Sequence, residues 1–160
     1  MIYTREWQPV RDFVQDKRTI AVTTHINPDG DAIGSQMAMA HYLRQIGKKV
    51  VLLNCDRMPD YFHFLDPEGE IALFDEQAHE ELVAGLDGCF VVDISDWARL
   101  RGMGSALRRH GIPVACIDHH IPTDEMGEVH ICLQEASSTG EMIYDFLADS
   151  GAELTLPIVD

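Results

Sequence analysis

Thr24-His25-Ile26-Asn27-Pro28-Asp29-Gly30-Asp31-Ala32-Ile33-Gly34-Ser35 joins two apolar patterns of different period. It follows the apolar run Ile20-Ala21-Val22, which reads as a buried strand, and it leads into a helical pattern with Ile33, Met37, Ala40 and Leu43 on one face. The stretch is therefore a strand-to-helix turn. In an open parallel sheet such a turn lies at the carboxyl end of a strand, where doubly wound α/β proteins take their ligands. Its charge is unusual: Asp29 and Asp31 flank Gly30, and His25 precedes them in the same turn. Two carboxylates about 4 Å apart repel by about 4 kcal/mol at an effective dielectric of roughly 20, so a folded turn of this kind calls for a cation. Oxygen donors with an imidazole suit Mn²⁺, Mg²⁺ or Fe²⁺ better than a structural zinc. Asn-Pro-Asp-Gly is equally a strong turn sequence with no ligand, so the choice between the two readings falls to the rest of the chain.

Working outward, Thr4 to Asp16 reads as an amphipathic helix with Trp7, Val10, Phe13 and Val14 inward. Thr19 to Thr24 is the first strand, the following helix ends near Gly47, and Val50-Val51-Leu52-Leu53 is a second strand, which makes a right-handed β-α-β unit. Met58-Pro59-Asp60-Tyr61-Phe62-His63-Phe64-Leu65 carries three aromatics, and reads as a short packed helix or loop over the sheet edge rather than a surface on which a base stacks. Glu76 to Ala84 is helical. Cys89-Phe90-Val91-Val92 is a wholly apolar strand, as a sheet covered on both faces requires, and it ends in Asp93. A helix is expected from about Trp97 to His110. Val114-Ala115-Cys116-Ile117 is the next strand and ends in Asp118-His119-His120. Val129 to Leu133 is a candidate further strand, and Ser138 with Glu141 forms a capping box at the start of a last full helix. The hydroxyls of Ser137 and Ser138 have a second reading there, as holders of a phosphate oxygen.

Three strands thus end in groups that bind hard or borderline metals. In a parallel sheet these ends point the same way, so His25, Asp29, Asp31, Asp93 and His119 can converge. The expected architecture is a doubly wound, mainly parallel α/β sheet with helices on both faces, in one domain spanning 1–160. The other histidines, His41, His63, His79, His110 and His130, lack the strand-end setting and read as surface or packing residues.

The 160 residues, 46% hydrophobic, suffice for one domain with a real core. With 27 acidic against 12 basic residues the formal net charge is −15, which disfavours gripping a nucleic-acid backbone through a basic surface. A phosphate substrate would have to be received through metal ions or through residues outside this chain. Neither a secretory leader nor an apolar run near the roughly 18 residues of a membrane helix is evident, so the expectation is a cytoplasmic protein with no membrane partner. Cys55, Cys89, Cys116 and Cys132 show no C-x-x-C spacing and read as reduced thiols.

Taken together, His25-x-x-x-Asp29-x-Asp31-x-x-Gly34-Ser35, Asp93 and Asp118-His119-His120, each at a strand end and in this order, resemble the three motifs of the amino-terminal domain of DHH-family phosphoesterases. Ser137-Ser138-Thr139-Gly140-Glu141 further resembles the branch containing bacterial oligoribonucleases that also remove the 3′-phosphate of adenosine 3′,5′-bisphosphate. The resemblance implies two Mn²⁺ ions, with Mg²⁺, Co²⁺ or Fe²⁺ as substitutes. One would be held by His25 and Asp29, the other by Asp31 and His119, with Asp93 bridging. Asp118 would orient His119, while His120 would face the substrate phosphate, making Asp93, His119 and His120 the catalytic group. Its substrates would be short RNA or nucleotides, and a homodimer is compatible with it. Single-strand exonucleases, cyclic-dinucleotide phosphodiesterases and inorganic pyrophosphatases share the same motifs, and a non-catalytic nucleotide-binding module is the reading from a different class. Two departures stand out: no Asp-Thr-Gly type motif follows His120, and the family's small carboxy-terminal domain is absent. Thr155-Leu156-Pro157 reads as the start of another helix, so the ending suggests a fragment of a longer enzyme, with little turnover by itself.

Overall fold

The computed structural model describes residues 7–155. In chain order these form α1 (Gln8–Gln15), β1 (Thr19–Thr23), α2 (Gly30–Gln45), β2 (Lys49–Asn54), a 3-10 helix (Asp60–Leu65), β3 (Ala72–Leu73), α3 (Glu76–Ala84), β4 (Gly88–Val92), a 3-10 turn (Trp97–Leu100), α4 (Arg101–Arg109), β5 (Val114–Asp118), β6 (Val129–Cys132) and α5 (Thr139–Asp149). The six strands make one sheet in the order β3-β2-β1-β4-β5-β6, and every pair is parallel. The chain builds outward from β1 to β3, then returns to pair β4 with the other side of β1. The order therefore reverses between β1 and β4, and the crevice at their carboxyl ends is the switch point.

Alternation along the strands sorts the core into two halves. Ile20, Val22, Phe90, Val92 and Ile117 pack under α1, α2 and α5, while Ala21, Cys89, Val91 and Cys116 pack under α3 and α4. Ile33, Met37, Ala40 and Leu43 are all buried, which follows from their shared face on α2. Gln36 and Asn54 exchange two side-chain hydrogen bonds of 2.7 and 2.9 Å, and Gln36 also donates to the Val22 carbonyl. This satisfied buried amide pair pins α2 to β1 and β2 just below the switch point.

Several boundaries differ from the sequence expectation. Helix α1 starts at Gln8 with Pro9 in its first turn, where a missing N–H costs nothing, and Trp7 precedes it fully buried with its Nε1 donating to Asp145 at 2.9 Å. Thr4 to Glu6 and Leu156 to Asp160 lie outside the described residues. The helix expected from Trp97 is broken: Arg101 adopts φ +48°, so a 3-10 turn and α4 replace one continuous helix. The aromatic segment is not wholly packed either. The three-residue repeat of a 3-10 helix turns Leu65 and part of Phe62 inward and leaves Tyr61 and Phe64 exposed. Strand β3, two exposed residues long, carried no sequence signal.

The link from β5 to β6 returns through Gly127, whose φ is +79° and whose added Cβ would sit 2.1 Å from the Val114 carbonyl oxygen. Gly127→Ala is therefore expected to destabilise the fold by more than about 1 kcal/mol in urea unfolding, since both the backbone angle and the contact oppose a side chain. An unchanged midpoint would contradict this.

Candidate metal centre at the switch point

The site assembles from strand ends. β1 runs into His25, whose Nδ1 lies 2.6 Å from the Ile26 carbonyl and 3.2 Å from Arg99 Nη2, while Nε2 faces Asp93 Oδ2 at 3.4 Å. The backbone then enters α2, with Asp29 as its N-cap, accepting from the Ala32 amide at 3.0 Å. Asp31 sits in the first helical turn. Its two carboxylate oxygens accept 2.8 Å hydrogen bonds from the backbone amides of Thr139 and Gly140, at the start of α5. The amino ends of α2 and α5 thus meet at one carboxylate, and both favour negative charge there.

Asp93, directly after β4, has φ +63°, a conformation costly to any residue with a Cβ. This bend is held by the surroundings, and it buries the carboxylate almost completely among three imidazoles. His25 lies 3.4 Å away, His119 Nε2 3.7 Å and His120 Nδ1 3.6 Å. The Thr139 hydroxyl donates to Asp93 Oδ1 at 2.8 Å. His119 Nε2 is also 3.6 Å from Asp31 Oδ2. His25, Asp29 and Asp93 form one group with donor atoms within 4.8 Å of one another, and Asp93, His119 and His120 form a second. Asp93 is common to both.

Sequence reasoning assigned Asp118 to His119, and here the structure differs. The fully buried Asp118 accepts from the Ser95 hydroxyl at 2.6 Å and from His120, at 3.1 Å from its amide and 2.8 Å from Nδ1. Burial would raise its pKa, but these donors more than reverse that and hold the carboxyl below its ordinary range. His119 instead places Nδ1 3.3 Å from the Ala136 carbonyl. The two rings lie side by side, 4.3 Å between centroids, and both reach Asp93, but it is His120 that meets Asp118. Ser137 and Ser138 serve the start of α5: the Ser138 hydroxyl accepts from the Glu141 amide at 3.0 Å, and Ser137 donates its hydroxyl and amide to Glu141. The residue beside them, Thr139, is the one that reaches the centre. Its role was not visible in sequence, nor was that of the Gly140 amide or Ser95. Among the other histidines, His130 is no plain surface residue, since its Nε2 lies 3.0 Å from Cys132 Sγ and 3.3 Å from Ser95 Oγ. All four cysteines are free thiols.

The profile of the DHH family, N-terminal domain, matches residues 19–159. The chain belongs to that family. It is 27% identical over a 164-residue alignment to the bifunctional oligoribonuclease and PAP phosphatase NrnA of Thermus thermophilus, an alignment covering 96% of this chain and 45% of that protein. The crystal structure of an exopolyphosphatase-related protein from Bacteroides fragilis superposes with a TM-score of 0.84 at 24% identity, over 90% of this chain and 43% of that one. The chain thus spans less than half the length of these relatives. The structural neighbour shares this fold.

The centre also perturbs its own titration. Burial and the charge of Asp93 raise the Asp31 carboxyl above its ordinary range, against the Gly140 and Thr139 amides. Burial alone would lower His25, but the Asp93 carboxylate and the Ile26 carbonyl outweigh it and leave the imidazole above its ordinary 6.5. In metal-free protein the charged His25 therefore contributes stability at pH below its unfolded value, and that contribution is lost as pH rises through the folded value. Followed by NMR without metal, the His25 midpoint is expected above 6.5 and should fall in Asp93→Asn, where desolvation is left with less opposition. An equal midpoint in both proteins would contradict the assigned contact.

Proposed function

We propose that this chain carries the metal centre of a phosphoesterase that hydrolyses short oligoribonucleotides or the 3′-phosphate of adenosine 3′,5′-bisphosphate. The observation that carries the reading is the buried Asp93 carboxylate shared by two groups of ligating side chains at the switch-point crevice. The donor set is carboxylate oxygen and imidazole nitrogen, which fits Mn²⁺ and related divalent cations. His25 and Asp29 would hold one ion, Asp31 and His119 a second, and Asp93 would be shared. Two such ions supply Lewis acidity, neutralising phosphate charge and acidifying water toward a pKa of about 7.

The chain's own residues do the positioning. Ile26 and Ala136 carbonyls hold the His25 and His119 rings so that each Nε2 faces the carboxylates. Thr139 and the α5 amides hold Asp93 and Asp31 in place. His120, half exposed and aligned by Asp118, is left to face the phosphate that enters the crevice. A formal charge of −15 would repel that phosphate at long range, so bound cations are what make the crevice receptive.

The test is Mn²⁺-dependent release of mononucleotide from a diribonucleotide, or of orthophosphate from adenosine 3′,5′-bisphosphate, run in ¹⁸O-labelled water. One label should enter the phosphate product, and Asp93→Asn should abolish release. Protein that takes up Mn²⁺ yet neither binds nor cleaves either compound would refute the reading. Because the Thr139 hydroxyl acts through Asp93 and its amide to Asp31 is kept by any side chain, Thr139→Val is expected to lower Mn²⁺ affinity by about 10–100-fold without unfolding the chain. Unaltered affinity would remove Thr139 from the centre.

A further inference from the structure

An elongated cavity of about 620 Å³ opens directly off the candidate metal centre. Its inner end is formed by Asp31, Ser35 and Gly140, and it runs along α2 past Gly34 and Ala38 beneath the 3-10 helix that carries Phe62 and Phe64. The lining is mainly apolar, of the size and character that bind small organic ligands. Phe64, which lines this groove, is 68% exposed. Phe62 is braced in its wall: a Cβ added at Gly30 would lie 3.1 Å from its Cε1, so the ring rests on the first turn of α2. Gly34 is the reverse case. A Cβ there meets nothing within 4 Å, and the missing side chain is part of the groove itself.

We infer that this groove is a nucleobase subsite, which receives the base of a nucleotide whose phosphate lies at the switch-point centre. The inference rests on the phosphoester reading above and adds to it the place and chemistry of base binding. Continuity decides the occupant: Asp31 and Gly140 belong to both the centre and the groove, so a molecule held by its phosphate must extend into this space or away from it. A planar ring suits a slot walled by aromatic side chains, and such stacking accepts any base. Glu68 in the same lining disfavours an acidic peptide and suits the amino edge of a base.

The test compares adenosine 5′-monophosphate with ribose 5-phosphate, which has the same phosphate and sugar but no base. Both are titrated calorimetrically into the Mn²⁺-loaded chain, its Gly34→Leu variant, which fills the groove, and its Phe64→Ala variant. The nucleotide is expected to bind about tenfold or more tightly than the sugar phosphate, in the range that base stacking supplies. Gly34→Leu should reduce the nucleotide to the level of ribose 5-phosphate while leaving the latter unchanged. Phe64 is exposed, so Phe64→Ala keeps the fold and should weaken the nucleotide alone by severalfold, which covers the case that Gly34→Leu does not fold. Equal affinity of the two ligands for the unsubstituted chain would overturn the base subsite and leave the phosphoester reading standing. Binding of neither ligand would overturn both.

Discussion

Asp31 and Asp93 lie within 3.7 Å of one imidazole nitrogen, His119 Nε2, and among the described residues neither carboxylate is paired with a lysine or arginine. This crowding of negative charge in a largely buried crevice is what the surrounding structure has to sustain. Removed from water, each carboxylate must be hydrogen-bonded or neutralised. The chain meets part of that demand with fixed dipoles: two amides of α5 on Asp31, and the Thr139 hydroxyl on Asp93. Three imidazoles around Asp93 meet another part. Burial and the Asp93 charge raise the Asp31 carboxyl, and, against burial, the Asp93 carboxylate and the Ile26 carbonyl raise the His25 imidazole, so both groups keep their protons to higher pH than they would in water.

The fold is arranged around that crevice. Pairing β4 with β1 puts the switch point between them, and the core under α1, α2 and α5 on one face of the sheet holds α2 and α5 together, so that their amino ends converge on Asp31. The Gln36–Asn54 pair fixes α2 below the site. The left-handed backbone at Asp93 is the local strain that this framework absorbs, and it falls on the residue shared by both ligating groups.

Much of this was legible in the residue order. A wholly apolar strand followed at once by Asp93 or by Asp118-His119-His120 declares both its own burial and a polar group at its carboxyl end, and parallel pairing then brings those ends together. Glu76–Ala84 and the β5 span could be read almost to the residue for the same reason: the pattern that buries them is local. What escaped depends on tertiary placement. The amide donors to Asp31 come from Thr139 and Gly140, over a hundred residues away, and a backbone N–H has no residue signature. Nor does sequence say which of two adjacent histidines turns toward Asp118, since that depends on strand pleat and rotamer. The aromatic segment from Tyr61 to Leu65 has too few residues to show its three-residue repeat, so its exposed rings were read as packed.

A divalent-cation centre organised by Asp93 at the switch-point crevice is the proposal on which the functional reading rests. Calorimetric titration of Mn²⁺ into this chain, with Asp93→Asn titrated in parallel, tests it most directly. Saturable binding with proton release in the unsubstituted protein, lost in Asp93→Asn while the fold is retained, is the predicted result. Equal binding by the two proteins, or none by either, would contradict it.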